Sequence, residues 1–172
     1  TRTTLDAFAA AGLPLASVQV GNEITNGTCR PVAATARYDD QTLRYAPADP
    51  AADDALAGLL RAGTAAVREH SDAEVVIHLD QGGSDVVARQ WLDRMLPRGV
   101  ELDILGLSYY PFWHGSLADL GANLDHLATT YGLDLLVAET AFARSSTTPA
   151  GHGSMVRDAE IARSGREPGP DS

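Results

Sequence analysis

The sequence contains one cysteine, Cys29, in 172 residues, so no internal disulfide can form. It lies in no C-x-x-C or Cys/His cluster, which removes the case for a structural zinc site. No apolar run approaches the ~20 residues that a membrane-spanning helix requires, and the first residues lack the charged segment and apolar core of a signal peptide. Positive charge is scarce as well. Thirteen Lys and Arg face 23 Asp and Glu, a net charge of −10, and no basic cluster is visible. Such a field repels phosphate-rich partners, so nucleic acid and anionic membrane are excluded as expected partners. A neutral polymer such as a polysaccharide is indifferent to it. Phosphate-cradling loops are missing too: Gly82-Gly83 follows a strand-like run but fits neither G-x-G-x-x-G nor G-K-[ST], which disfavours a nucleotide-binding domain.

What is present is the composition of an ordinary globular domain, 44% hydrophobic and 21% charged. The spacing predicts an opening helix over Thr3 to Ala11 stopped by Gly12 and Pro14, then a strand over Ala16 to Gly21. A loop rich in Pro, Asp and Tyr runs to Asp53, where Asp53 or Asp54 can cap a helix that continues to His70. Val75 to Leu79 is short, β-branched and nearly all apolar, as a strand covered on both faces should be. Further helices are predicted over Val86 to Leu96 and from the Ser116 capping box to Gly132, with strands at Leu102 to Ser108 and Leu135 to Ala138. Strands alternating with amphipathic helices imply parallel βα units, in either an open doubly wound sheet or a slice of a (β/α)8 barrel.

Chemistry distinguishes the two. The first predicted strand ends in Asn22-Glu23 and a turn, and the last delivers Glu139 at its exit in the same way. Barrel enzymes hold their sites at the carboxyl ends of the strands, so both glutamates would flank one cleft there. Two carboxyls across a sugar-sized gap are the apparatus of glycoside hydrolysis: one donates a proton to the leaving oxygen and the other attacks the anomeric carbon. Taken alone, each glutamate is as readily a loop cap or a solvated charge. A tyrosine of the Tyr109-Tyr110 pair could keep a nucleophile ionised by hydrogen bonding to it, and alternation lets only one of the two point inward. His78 and Asp80 share a face of their strand, His78 being as easily a satisfied core histidine. Trp113 offers a flat face for a sugar ring, and His114 lies beside it.

Four segments in order, Val18 to Gly27, Ile77 to Asp80, Asp103 to Gly115 and Val137 to Ala141, closely resemble the endo-β-1,4-galactanases of glycoside hydrolase family 53. The resemblance spans about residues 3 to 143. It implies an α/β fold of the (β/α)8 TIM barrel class, represented here by strands four to seven with their helices. By position, Glu23 matches the family's acid/base and Glu139 its nucleophile, with Asn22, His78, Asp80, Tyr109, Tyr110, Trp113 and His114 as candidate substrate contacts. The implied reaction is retaining endo-hydrolysis of β-1,4-galactan, with no cofactor and no metal, in an extracellular, monomeric protein. Another β-glycosidase of the same clan, or a sugar binder without turnover, is the alternative.

Two departures qualify the expectation. Thr28-Cys29-Arg30-Pro31 replaces the apolar and aromatic turn usual after the first motif. Residues 1–143 are expected to form a partial catalytic domain, and 144–172 an irregular, disordered tail with no eighth strand. The chain therefore reads as a piece of a longer protein. With two sheet edges unpaired, it is expected to be at best weakly active in isolation.

Overall fold

The computed structural model describes residues 2–28 and 49–142 in full, and the backbone at 38–39 and 44–45. Cys29 and the expected tail over 144–172 lie outside the described residues. Helix α1 spans Arg2–Ala10 and leads into the short strand β1, Ser17–Gln19. Two-residue strands β2 (Tyr38–Asp39) and β3 (Arg44–Tyr45) form an antiparallel pair. Then α2 (Pro50–His70), β4 (Glu74–Leu79), α3 (Asp85–Met95), β5 (Ile104–Tyr109), α4 (Leu117–Tyr131) and β6 (Asp134–Thr140) alternate.

Strands β1, β4, β5 and β6 form one sheet in that order, every neighbouring pair parallel. Sequential order with right-handed crossovers places every connecting helix on the same face. The core bears this out. Ile77 and Leu79 of β4 and Leu105 and Leu107 of β5 pack with Leu56 and Leu60 of α2, Trp91 and Leu92 of α3, and Leu127 of α4, all buried. A smaller cluster joins Leu5 of α1 to Val67, Ala73 and Val75 on that side. An open doubly wound sheet would carry helices on both faces, so the barrel alternative is the one realised. The alternate residues, Val76, His78, Gly106 and Ser108, line the concave face. A Cβ on Gly106 would lie 3.2 Å from Val76 Cγ1 and 3.4 Å from Ala138 Cβ, so the small residue there lets the sheet curve inward.

The local signals explain the element ends, with one correction. Helix α2 begins at Pro50 rather than Asp54, because Asp49 accepts hydrogen bonds from the backbone N–H groups of Ala51 and Ala52 at 3.1 and 3.2 Å. Proline at the first helical position has its φ already set and no N–H to satisfy, which moves the start one turn upstream of the expected caps. Asp53 is instead buried inside the helix, 3.9 Å from Arg98. The capping box of α4 forms as the pattern indicates: Ser116 Oγ accepts from the Asp119 N–H, and Asp119 accepts from the Ser116 N–H. The Ser116 hydroxyl, donating to Asp119 Oδ2 at 2.7 Å, and then the Ser116 N–H hold the Asp119 carboxyl below the usual carboxylate range. Gly132, at φ +65°, ends the helix in the left-handed conformation that glycine adopts without strain.

Candidate active site

The exit of β1 is built on two positive φ angles. Gly21 adopts φ +91°, and a Cβ there would meet Ile24 Cγ2 at 2.6 Å, so the chain can turn this tightly only with glycine. Glu23 adopts φ 47° and ψ 51°, a left-handed conformation that costs a non-glycine residue on the order of 1–2 kcal/mol. The cost is offset by anchoring on the far side. Ile24 and Thr25 are fully buried in the following 3-10 turn, Ile24–Asn26, and Thr25 Oγ1 accepts the Asp80 N–H at 3.1 Å. A strained residue held by its neighbours is common where a side chain must be aimed.

At the other side of the sheet, β6 carries a β-bulge. Leu107 pairs with Val137, but the next residue, Ser108, pairs with Glu139, so Ala138 is the extra residue. Strict alternation from Leu135, which packs against the helix-side core, would send Glu139 to that side as well. The bulge redirects it into the concave face. There the Tyr110 hydroxyl donates to Glu139 Oε2 at 3.0 Å. That bond, reinforced by desolvation and by the charges of Glu139 and Glu23, holds the Tyr110 phenol above its ordinary value near 10.

Between the two glutamates sits His78, fully buried. Its Nε2 lies 2.9 Å from Ser108 Oγ, and its Nδ1 lies 3.1 Å from Asn22 Oδ1 and 4.0 Å from Glu139 Oε1. Ser108 Oγ in turn donates to Glu23 Oε1 at 2.6 Å. Asn22 Oδ1 also accepts from Gln19 Nε2 at 3.1 Å. Glu23, His78 and Glu139 each bring a ligating atom to within 4.8 Å of the others. First and last strands of the sheet thus deliver carboxyl oxygens to one point, which requires the sheet to be curved as a barrel wall is.

The other candidates divide. Tyr109 turns away from the cleft: it is buried, and its hydroxyl donates to the Gly115 carbonyl at 3.0 Å. The inward tyrosine is therefore Tyr110, on the parity of Gly106 and Ser108. His114 is also buried, its Nδ1 lying 2.9 Å from the Ser108 carbonyl oxygen and 3.1 Å from the Tyr110 nitrogen, so it ties the loop to the strand end. Trp113 is 37% exposed, its ring 5.4 Å from that of Tyr110. Asp80 is held beside the Glu23 turn through its backbone. Ser108 was absent from the expected contacts. A serine inside an apolar strand signals nothing by itself, and its partners lie 30 and 85 positions away.

Three groups capable of ligating a cation meet here, yet their spacing and partners suit proton transfer better. Bonds of about 2 Å to a tetrahedral metal would put donor atoms roughly 3.3 Å apart. Here His78 Nδ1 and Glu139 Oε1 stand 4.0 Å apart, and Ser108 and Tyr110 already hold one oxygen of each glutamate.

Comparison with known proteins agrees with the fold. The chain is 40% identical over 149 residues to an uncharacterized protein of Niallia circulans, covering 84% of this chain and 38% of that one. It is 32% identical over 159 residues to a probable arabinogalactan endo-β-1,4-galactanase A of Aspergillus terreus, covering 87% of this chain and 41% of that one. Among solved structures, the Ignisphaera aggregans GH53 catalytic domain superposes with a TM-score of 0.79 at 28% identity, over 98% of this chain and 43% of its own. A structure from a study of two fungal β-1,4-galactanases superposes at 0.69 and 25% identity, over 87% and 43%. The chain thus spans about two fifths of the length of these relatives, and its four parallel strands are part of a TIM barrel. The model of the family described as glycosyl hydrolase family 53 matches residues 1–165, and the chain belongs to that family.

Proposed function

We propose that this chain carries the catalytic pair of a retaining endo-β-1,4-galactanase, Glu23 serving as acid/base and Glu139 as nucleophile. The observation that carries the reading is the approach of their carboxyl oxygens to within 4.8 Å at the carboxyl ends of parallel strands. Retaining glycosidases place their carboxyls about 5–5.5 Å apart, whereas inverting ones need roughly 6.5–9.5 Å to admit a water. In the first step Glu139 attacks the anomeric carbon while Glu23 protonates the departing glycosidic oxygen. In the second, Glu23 takes a proton from water, which displaces Glu139 with the anomeric configuration restored. Tyr110 keeps Glu139 ionised and aimed. Asn22 has its oxygen held by the protein, which leaves its amide N–H groups for a sugar 2-hydroxyl. Trp113, partly exposed above Tyr110, is the stacking surface for a galactose ring.

The proposed substrate class is a neutral β-1,4-galactan as in pectin side chains or type I arabinogalactan, a reading that the galactanase relatives support. Action outside the cell belongs to the same reading. The test is hydrolysis by the protein at its full native length of potato galactan, mannan and an aryl β-galactoside, with the product anomer followed by NMR. Cleavage of galactan but not mannan, with the β anomer appearing first, is expected. Galactan left intact, or an α anomer first, overturns the reading.

A further inference from the structure

We infer that Ser108 is a positioning residue that decides which oxygen of the Glu23 carboxyl carries the proton. The inference rests on Glu23 acting as the acid. An ionised carboxylate only accepts hydrogen bonds, so the single Ser108 hydroxyl proton points to Glu23 Oε1, 2.6 Å away. Ser108 Oγ must then accept from its other neighbour, which requires a proton on His78 Nε2, 2.9 Å away. His78 is fixed in turn by its burial, and Asn22 Oδ1, 3.1 Å from Nδ1, is an acceptor for a proton on that nitrogen. The relay therefore runs in one direction, from His78 through Ser108 to Glu23.

When Glu23 is protonated, Oε1 remains the acceptor of the Ser108 hydrogen bond and the proton is confined to Oε2. Without Ser108 the two oxygens become equivalent, and the carboxyl populates arrangements in which the proton faces the protein rather than the leaving oxygen. The bulge in β6 sets Glu139 opposite Ser108. Ser108 is paired with Glu139 and bonded to Glu23, so a single strand position references both glutamates.

The leaving group isolates this role. A galactan bond needs a proton on its departing sugar oxygen, and a dinitrophenyl leaving group does not. Because kcat/KM reports the first chemical step, Ser108→Ala at full native length is expected to lower kcat/KM on galactan roughly tenfold to a hundredfold. On dinitrophenyl β-galactoside it is expected to leave kcat/KM nearly unchanged, and Ser108→Thr, which keeps the hydroxyl, restores the galactan rate. Equal losses on both substrates, no loss on either, or failure of threonine to restore the rate overturns the inference. A neutron structure of the unsubstituted protein decides independently of turnover and of whether the alanine variant folds. Deuterium on Ser108 Oγ directed at Glu23 Oε1 supports the relay, and deuterium on Oε1 refutes it. Were aryl galactosides cleaved and galactan not, the substrate reading would fall, and a series of aryl leaving groups would still decide the role of Ser108.

Discussion

Tyr110 and Glu139 meet across neighbouring strands, the phenol donating to the carboxylate at 3.0 Å. A hydrogen bond to a charged group contributes about 1.5–3 kcal/mol, so Tyr110→Phe is expected to lower kcat/KM on galactan roughly 10- to 100-fold, with a smaller loss of stability because water reaches the 37% exposed Glu139 side chain. The pH dependence has a definite sign. Glu139 raises the pKa of Tyr110, so the phenol stays protonated, and able to donate, past pH 10. Wild type and Tyr110→Phe should therefore lose activity at the same alkaline pH. A kcat/KM profile whose alkaline limb vanishes in the variant would contradict this.

The bulge makes a second, sharper claim. Deleting Ala138 removes the extra residue, and simple alternation from Val137 then keeps Glu139 on the concave face opposite Ser108. Galactan turnover by the deletion variant should therefore stay well above that of Glu139→Ala, and the substitution Ala138→Ser should keep it as well. A deletion variant as inactive as Glu139→Ala would show that the bulge geometry itself, rather than the face on which Glu139 falls, aims the carboxyl.

Much of this was readable from the residues. Alternating strands and helices, the capping box at Ser116 and two glutamates at strand exits all follow from local rules, because each signal lies within a few residues of what it controls. The unreadable parts are those where distant segments decide. Parity along β6 would have sent Glu139 outward had it been traced from Leu135, and only pairing with β5 reveals the extra residue. Tyr109 and Tyr110 were indistinguishable until the face of β5 was known. Ser108 had no signal, because its meaning comes from His78 and Glu23 on two other strands. Asp53 and Asp54 looked like caps because Pro50 was read as part of the preceding loop rather than as the start of the helix.

Asp103 illustrates a stability term away from the cleft. Its carboxylate accepts from Arg68 at 2.7 Å and from the N–H of fully buried Val75 at 2.7 Å, joining α2 to β4. Bonding to Arg68, helped by the Val75 N–H and the Arg68 charge, holds the Asp103 carboxyl below its usual value. A carboxyl with a lowered folded-state pKa contributes stability that is complete above the unfolded value near 3.9 and is lost as pH falls below it. Asp103→Ala strands the Val75 N–H and should cost about 1–3 kcal/mol at neutral pH. The gap between wild type and variant in urea unfolding should narrow as the pH drops toward 2. An equal gap at pH 7 and pH 2 would refute the assignment.

Glu23 supplies the last test, since its backbone conformation and its chemistry pull in opposite directions. A left-handed φ of 47° penalises every residue with a Cβ, and glycine alone escapes. Glu23→Ala and Glu23→Gly both remove the carboxyl and both should abolish turnover of galactan, so activity does not separate them. Stability does. Alanine ordinarily exceeds glycine because the glycine backbone loses more freedom on folding, by roughly 0.5–1 kcal/mol. Here the strain term, on the order of 1–2 kcal/mol, outweighs that entropy and reverses the order. The glycine variant should unfold at higher denaturant than the alanine variant, the difference corresponding to about 0.5–1 kcal/mol. An alanine variant as stable as the glycine one would mean that the turn relaxes once the carboxyl is gone. The hydrogen bond to Ser108, rather than the anchored Ile24 and Thr25, would then be what holds Glu23 in its strained conformation.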